Sequence, residues 1–139
     1  MTIKEFLSQT RYLDMRIDSK MKQLESLNAL ATKCTTVITG MPSAPSKSNS
    51  TMADTIGKII DLETEINRDV DKLVTLKAEI AKVINGVPKL EYRLLLEKRY
   101  LAFQTWEEIA VELGYELRWL FRLHGKALNE AEKVYKAMQ

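Results

Sequence analysis

The stretch TWEEIAVELGYELRWLFRLHGKAL, residues 105–128, decides how this chain is read. Two short helices that cross steeply need an apolar inner face on the first helix, a small residue where the backbones approach, and glycine or its like at the turn. Ile109 and Leu113 supply that inner face, and Ala110 is the small contact. Gly114 can take the positive φ of the turn. Tyr115, Leu120 and Leu123 close the small core from the second helix. Thr105, with Glu108 three residues on, reads as the N-cap of a capping box. The spacing predicts a helix-turn-helix with helices near 105–113 and 116–136; the competing reading is an ordinary helical hairpin.

Charge divides the two helices. The first carries Glu107, Glu108 and Glu112, and the second carries Arg118, Arg122 and Lys126 at i, i+4 and i+8. A cationic ridge on the second helix, with acid on the first, is the polarity of a helix that faces phosphate. The alternative is a solvated face paired with Glu116 or Glu130. Trp119 and Phe121 stand where polar, base-reading side chains are usual. Trp119 is expected to pack on another part of the chain. For Phe121 three fates stay open: contact with thymine methyl groups, packing within the chain, or docking of a protein partner.

Upstream, Asn85, Gly86, Val87 and Pro88 punctuate the chain, with Gly expected at a helix end and Pro at the first position of the next. KLEYRLLLEKRYLAF, 89–103, reads as a helix preceding the motif. Further upstream lie two long amphipathic patterns. The first repeats apolar residues at Leu13, Ile17, Met21, Leu24, Leu27, Ala31, Cys34 and Ile38, with Asp14, Arg16, Asp18, Lys20, Lys22 and Glu25 expected to face water. The second runs Ile59, Leu62, Ile66, Leu73, Leu76, Ile80 and Val83, a heptad pattern with Asp69 in one core slot. A small local shift is expected to bring Val70 into that slot. Between the two, GMPSAPSKSNST at 40–51 reads as a flexible connection.

The expected fold is therefore all-α: a long antiparallel, coiled-coil-like hairpin over 1–86 with a flexible loop near 40–52, then a three-helix helix-turn-helix domain over 87–139. Two stripes cover each other poorly over such a length, so cover is expected from the C-terminal zone, from a second chain, or from both, the second chain making a homo-oligomer through the N-terminal helices.

Composition fits this picture. Of 139 residues, 45% are hydrophobic and 29% charged, and five glycines and three prolines leave few places for the turns of a β fold. The net charge of +2 does not by itself announce a nucleic-acid binder, so the placement of charge matters more than its total. Cys34 is the sole cysteine, which leaves no intrachain disulfide or thiolate zinc site and suits a reducing compartment. No apolar run approaches the roughly 20 residues of a bilayer span, so no membrane partner and a cytoplasmic location are expected.

Catalysis, metals and cofactors are not expected. His124 is the sole histidine, expected to be solvated or near phosphate. Asp61, Glu63, Glu65, Asp69 and Asp71 are spread around a helix instead of converging, and TIGK at 55–58 lacks the glycine-rich surround of a phosphate loop.

The segment from Leu94 to Leu128 resembles the promoter-reading region four of bacterial sigma factors. Arg99 and Tyr100 match its Arg-Tyr-like pair. Thr105, Glu107, Glu108, Ile109 and Ala110 match its Thr/Ser-x-Glu-Glu-Ile-Ala segment, and Leu113-Gly114 and Lys126-Ala127-Leu128 complete the pattern. With its N-terminal hairpin the chain looks like the small region-four-like proteins of Gram-positive phages and prophages, near the ArpU-like transcriptional regulators. The resemblance implies a regulator that binds double-stranded DNA, with RNA polymerase as a further candidate partner. Carried over by position, the DNA-facing residues are Leu117, Arg118, Trp119, Phe121 and Arg122, and the ridge adds Lys126. Glu116 stands where the family opens its recognition helix with Ser or Thr, and no region two or three is present. Two other classes compete: an interaction or scaffold protein docking through Trp119 and Phe121, and a DNA-packaging subunit like the small terminases. The latter usually place the DNA-binding element first in the chain.

Overall fold

The computed structural model describes residues 1–40 and 45–139, and the side chains of 1–33 and 52–139. Of the connection expected near 40–52, Gly40 and residues 45–52 are helical, and residues 41–44 lie outside the described residues. Among the described residues the chain is helical apart from its turns and termini and has no strand. Helix α1 spans Ile3–Gly40, α2 Pro45–Asn85, α3 Leu90–Leu96, α4 Trp106–Leu113 and α5 Leu117–Met138. A π-helical turn, Glu97–Leu101, continues α3. The chain forms two compact units, one of residues Asp14–Lys72 and one of Met1–Leu13 with Leu73–Gln139.

In the Asp14–Lys72 unit α1 and α2 pack against each other through one row each. On α1 the covered row is Ile17, Lys20, Leu24, Leu27 and Ala31, and on α2 it is Thr55, Ile59, Leu62, Ile66 and Asp69. Three expectations are corrected by this packing. Met21 lies outside the row, and Lys20, expected to face water, takes a slot within it. Val70 does not shift into the slot of Asp69; it stays 40% exposed while Asp69 keeps the position.

The reason is electrostatic. Lys20 Nζ donates to Asp69 Oδ2 at 2.6 Å and lies 3.6 Å from Glu65. That hydrogen bond from Lys20 holds the Asp69 carboxyl below its usual range. A paired charge in one layer favours a single register of the two stripes. Asp69→Ala, which strands the Lys20 ammonium, is expected to lower stability by about 1 kcal/mol, between the values for exposed and fully buried pairs. The Lys20→Leu/Asp69→Leu variant is expected to match or exceed the wild-type Tm while showing extra backbone amide resonances from slipped registers; thermal melts and amide spectra check both.

The second unit is built around a continuous apolar core. Ile3, Phe6 and Leu7 of α1 and Ile80, Val83 and Ile84 of α2 join Val87, Leu95, Leu96, Tyr100, Ile109, Leu120, Leu123, Ala127 and Ala131. The start of α1 is fixed by a reciprocal capping box, with Thr2 N–H on Glu5 Oε2 at 3.0 Å and Glu5 N–H on Thr2 Oγ1 at 3.2 Å. Phe6 stacks on Tyr135 with ring centroids 4.6 Å apart, and the buried Thr10 hydroxyl donates to the Tyr100 carbonyl at 2.9 Å. At the end of α2 a Cβ on Gly86 would lie 2.6 Å from Val134 Cγ1, so glycine is there for the close approach to α5. Pro88 does not open the next helix as expected: Lys89 is the N-cap of α3, and the Pro88 carbonyl accepts from Arg93 Nη2 at 3.3 Å.

The helix expected over 89–103 also departs from the reading. It widens into the π turn, ends at Leu101, and Phe103 takes a φ of 58°. A positive φ at a bulky aromatic is a strained backbone position. Lys77 Nζ lies 4.6 Å over the Phe103 ring, and the Gln104 carbonyl accepts from Arg99 Nη1 at 3.0 Å, so side chains hold the turn from both sides.

Candidate nucleic-acid interface

The helix-turn-helix forms locally for the reasons its residues supply. Thr105 Oγ1 accepts from the Glu108 N–H at 3.2 Å and starts α4. Gly114 ends it at φ 72°, and the Tyr115 N–H donates to the Ala110 carbonyl at 3.0 Å. Ile109, Ala110, Leu120 and Leu123 are buried between the helices, with Leu113 and Tyr115 packed at the edge. The Tyr115 hydroxyl donates to Glu91 Oε1 at 2.6 Å and ties the turn to α3. Glu116 occupies the N-cap position of α5 without a side-chain capping bond, which leaves its first amide groups uncapped by it.

All six residues expected to face DNA lie on the outward surface of α5. Leu117, Arg118, Trp119, Phe121, Arg122 and Lys126 are exposed, while Leu120, Leu123, His124, Ala127 and Ala131 face the core. Among the described residues, the ion pairs leave Arg118, Arg122 and Lys126 out: Glu130 pairs with Lys133 at 3.2 Å, and Glu112 with Lys98. Glu107 and Glu108 are exposed on α4.

Trp119 is the first correction at this surface. It does not pack elsewhere in the chain but stays 41% exposed, with Lys126 Nζ 5.6 Å from its ring centroid. Phe121 is 50% exposed and sets one edge against Trp106, centroids 5.5 Å apart at 80°. Packing within the chain therefore holds one side of Phe121 and leaves the other outward.

His124 is the second correction. It is buried, not solvated, and shares a 2.6 Å hydrogen bond between Nε2 and the Tyr100 hydroxyl. Trp106 meets its ring edge-on at 4.6 Å, and the Arg99 guanidinium lies 4.5 Å over Trp106. Burial pushes the His124 pKa down to about 4, helped by the charges of Lys4 and Arg99, and burial pushes Tyr100 up to about 12. At neutral pH both are uncharged. A column of rings, Tyr100, His124, Trp106 and Phe121, thus runs from the core to the outer face of α5.

The sequence pattern did not assign this column, although a signal existed. His124 follows Leu120 by four residues and precedes Ala127 by three, which is the buried face of a helix. Trp106 carried no comparable cue, because its contacts come from the π turn and from α5.

Comparison with family models, curated proteins and solved structures found no match to this chain. No helix among the described residues is long and apolar enough to cross a membrane.

Proposed function

We propose that the protein is a DNA-binding transcriptional regulator of the phage type, reading double-stranded DNA with α5. The observation that carries the reading is the outward face of α5: Arg118, Arg122 and Lys126 are exposed and without ion pairs among the described residues, on the second helix of a helix-turn-helix. In this reading residues 117–126 enter a major groove, Arg118 and Arg122 contact base edges or phosphates, and Lys126 contacts phosphate. Leu117 and the free side of Phe121 suit thymine methyl groups. The uncapped amides at the start of α5 suit a phosphate oxygen. Glu107 and Glu108 stay off the bases.

A second reading draws on the same surface. Leu117, Trp119 and Phe121 are large apolar side chains left open beside the basic ridge, which suits docking on a protein such as RNA polymerase. Duplex titration by fluorescence anisotropy separates the two. The DNA reading expects log Kd to change with log salt at a slope of about 3, from three phosphate-neutralising side chains. Flat salt dependence, or no binding at low salt, would leave the protein-docking reading standing alone. Selection from a random duplex pool then identifies the preferred site.

A further inference from the structure

Helix α2 carries a second row that α1 does not cover. Ile56 and Ile60 are 43% and 56% exposed, and Val70 is exposed with them. Exposed Glu63 and Asn67 fill the intervening steps, giving spacings of four, three, four and three. Each member follows a residue of the covered row by one position, so this row sits about 100° further round the helix. It is a heptad-spaced row with apolar ends and a polar centre, and α1 does not cover it within the unit.

Its order is palindromic. Ile60 and Val70 lie five residues either side of Glu65, and Glu63 and Asn67 lie two either side of it. In the sequence the symmetry extends to Ile56 and Val74, nine either side. Glu65 itself is on the far side of the helix from the seam, since two residues from each neighbour turns it about 200° away. An isologous two-fold contact needs this self-complementarity, with residue i on residue j and j on i.

We propose that α2 pairs with α2 of a second copy of this chain, antiparallel, about a two-fold axis at the level of Glu65. Ile60 of each copy packs on Val70 of the other. The Asn67 side-chain amide of each copy donates to the Glu63 carboxylate of the other, twice across the axis. Beside the seam, Thr64 faces Thr64 and Asp71 faces Gly57, so no like charges meet. A parallel, in-register pair would instead set Glu63 on Glu63, which is unfavourable. The seam differs from the stripe of Ile59, Leu62 and Ile66, which is occupied by α1 within one chain. It uses no residue of the face of α5 proposed to read DNA.

The test uses the full chain with Cys34→Ala, so that introduced cysteines are the only ones. Ile60→Cys and Val70→Cys are made singly and mixed in equal amounts, then oxidised mildly and resolved without reductant. The mixture is expected to give at least about fivefold more covalent dimer than either single variant, because only the mixed pair brings the two Cα atoms within disulfide range. Equal yields from the single variants, or no dimer in any sample, would overturn the proposal. Sedimentation gives a second readout that does not depend on disulfide geometry. Ile60→Glu is expected to abolish the concentration-dependent rise in mass of the wild type, and Ile60→Glu/Val70→Lys to restore it. A wild type that remains monomeric at the highest soluble concentration, or a double variant that fails to recover while its helicity is intact, also counts against it.

Discussion

Replacing Arg118 and Arg122 together by alanine is expected to weaken duplex binding by about 2–4 kcal/mol, roughly 30- to 1,000-fold, because each removes a charge-assisted contact of about 1–2 kcal/mol. The salt slope is expected to fall by about 2, one for each phosphate that is no longer neutralised. Stability should hardly change. Both side chains are exposed and unpaired among the described residues, and such surface changes usually stay within about 0.5 kcal/mol. The separation of the two readouts is the useful part, since a folded variant with a normal melting curve and abolished binding places the effect on the surface. Glu107→Ala/Glu108→Ala supplies the opposite sign: removing two exposed carboxylates near a phosphate backbone should leave affinity equal or higher. Wild-type affinity in the arginine variant, measured across several salt concentrations, would remove α5 as the reading element.

Much of the fold was legible because its causes are local. Thr105, Ala110 and Gly114 act within a few residues of themselves, and the capping bond, close contact and positive φ appear where the spacing placed them. Helical stripes were legible for the same reason. What the sequence did not disclose depends on partners distant in the chain. Asp69 keeps its slot because Lys20, forty-nine residues earlier, meets it, and nothing near Asp69 announces that contact. The π turn at Glu97–Leu101 and the strained Phe103 arise where α3 must deliver Tyr100 to His124 and Arg99 to Gln104 and Trp106. The first turns of α1 and the last turns of α2 share a core with residues 87–139, because Phe6, Leu7, Ile80 and Ile84 find their apolar cover there.

The outer face of α5 shows the same division. Its polarity could be read from spacing alone, so Arg118, Arg122 and Lys126 are outward as a helical period requires. The fates of Trp119 and Phe121 could not, since both sit on one helix surface and differ only in what lies beside them. Trp106 comes from α4 to meet Phe121, while Trp119 has the Lys126 ammonium beside its ring.

His124 makes the other large prediction, and it concerns acid. A histidine held uncharged to about pH 4 in the folded state, against 6.5 when unfolded, means that the unfolded chain binds the extra proton first as pH falls. The stability contributed by the neutral ring is therefore present above pH 6.5 and lost as pH drops through about 4. Its size is about 3 kcal/mol over that window, at about 1.4 kcal/mol per tenfold change in proton activity. His124→Gln is the matched control, because its side-chain amide can meet the Tyr100 hydroxyl and does not titrate. Carboxylates common to both proteins contribute equally and cancel in the comparison. Denaturant unfolding at pH 7, 6, 5 and 4 should thus show wild-type stability falling more steeply than that of the variant, by about 3 kcal/mol in total. Parallel curves would mean that the ring is not held neutral. His124 is on the buried face of α5, on the side away from Arg122.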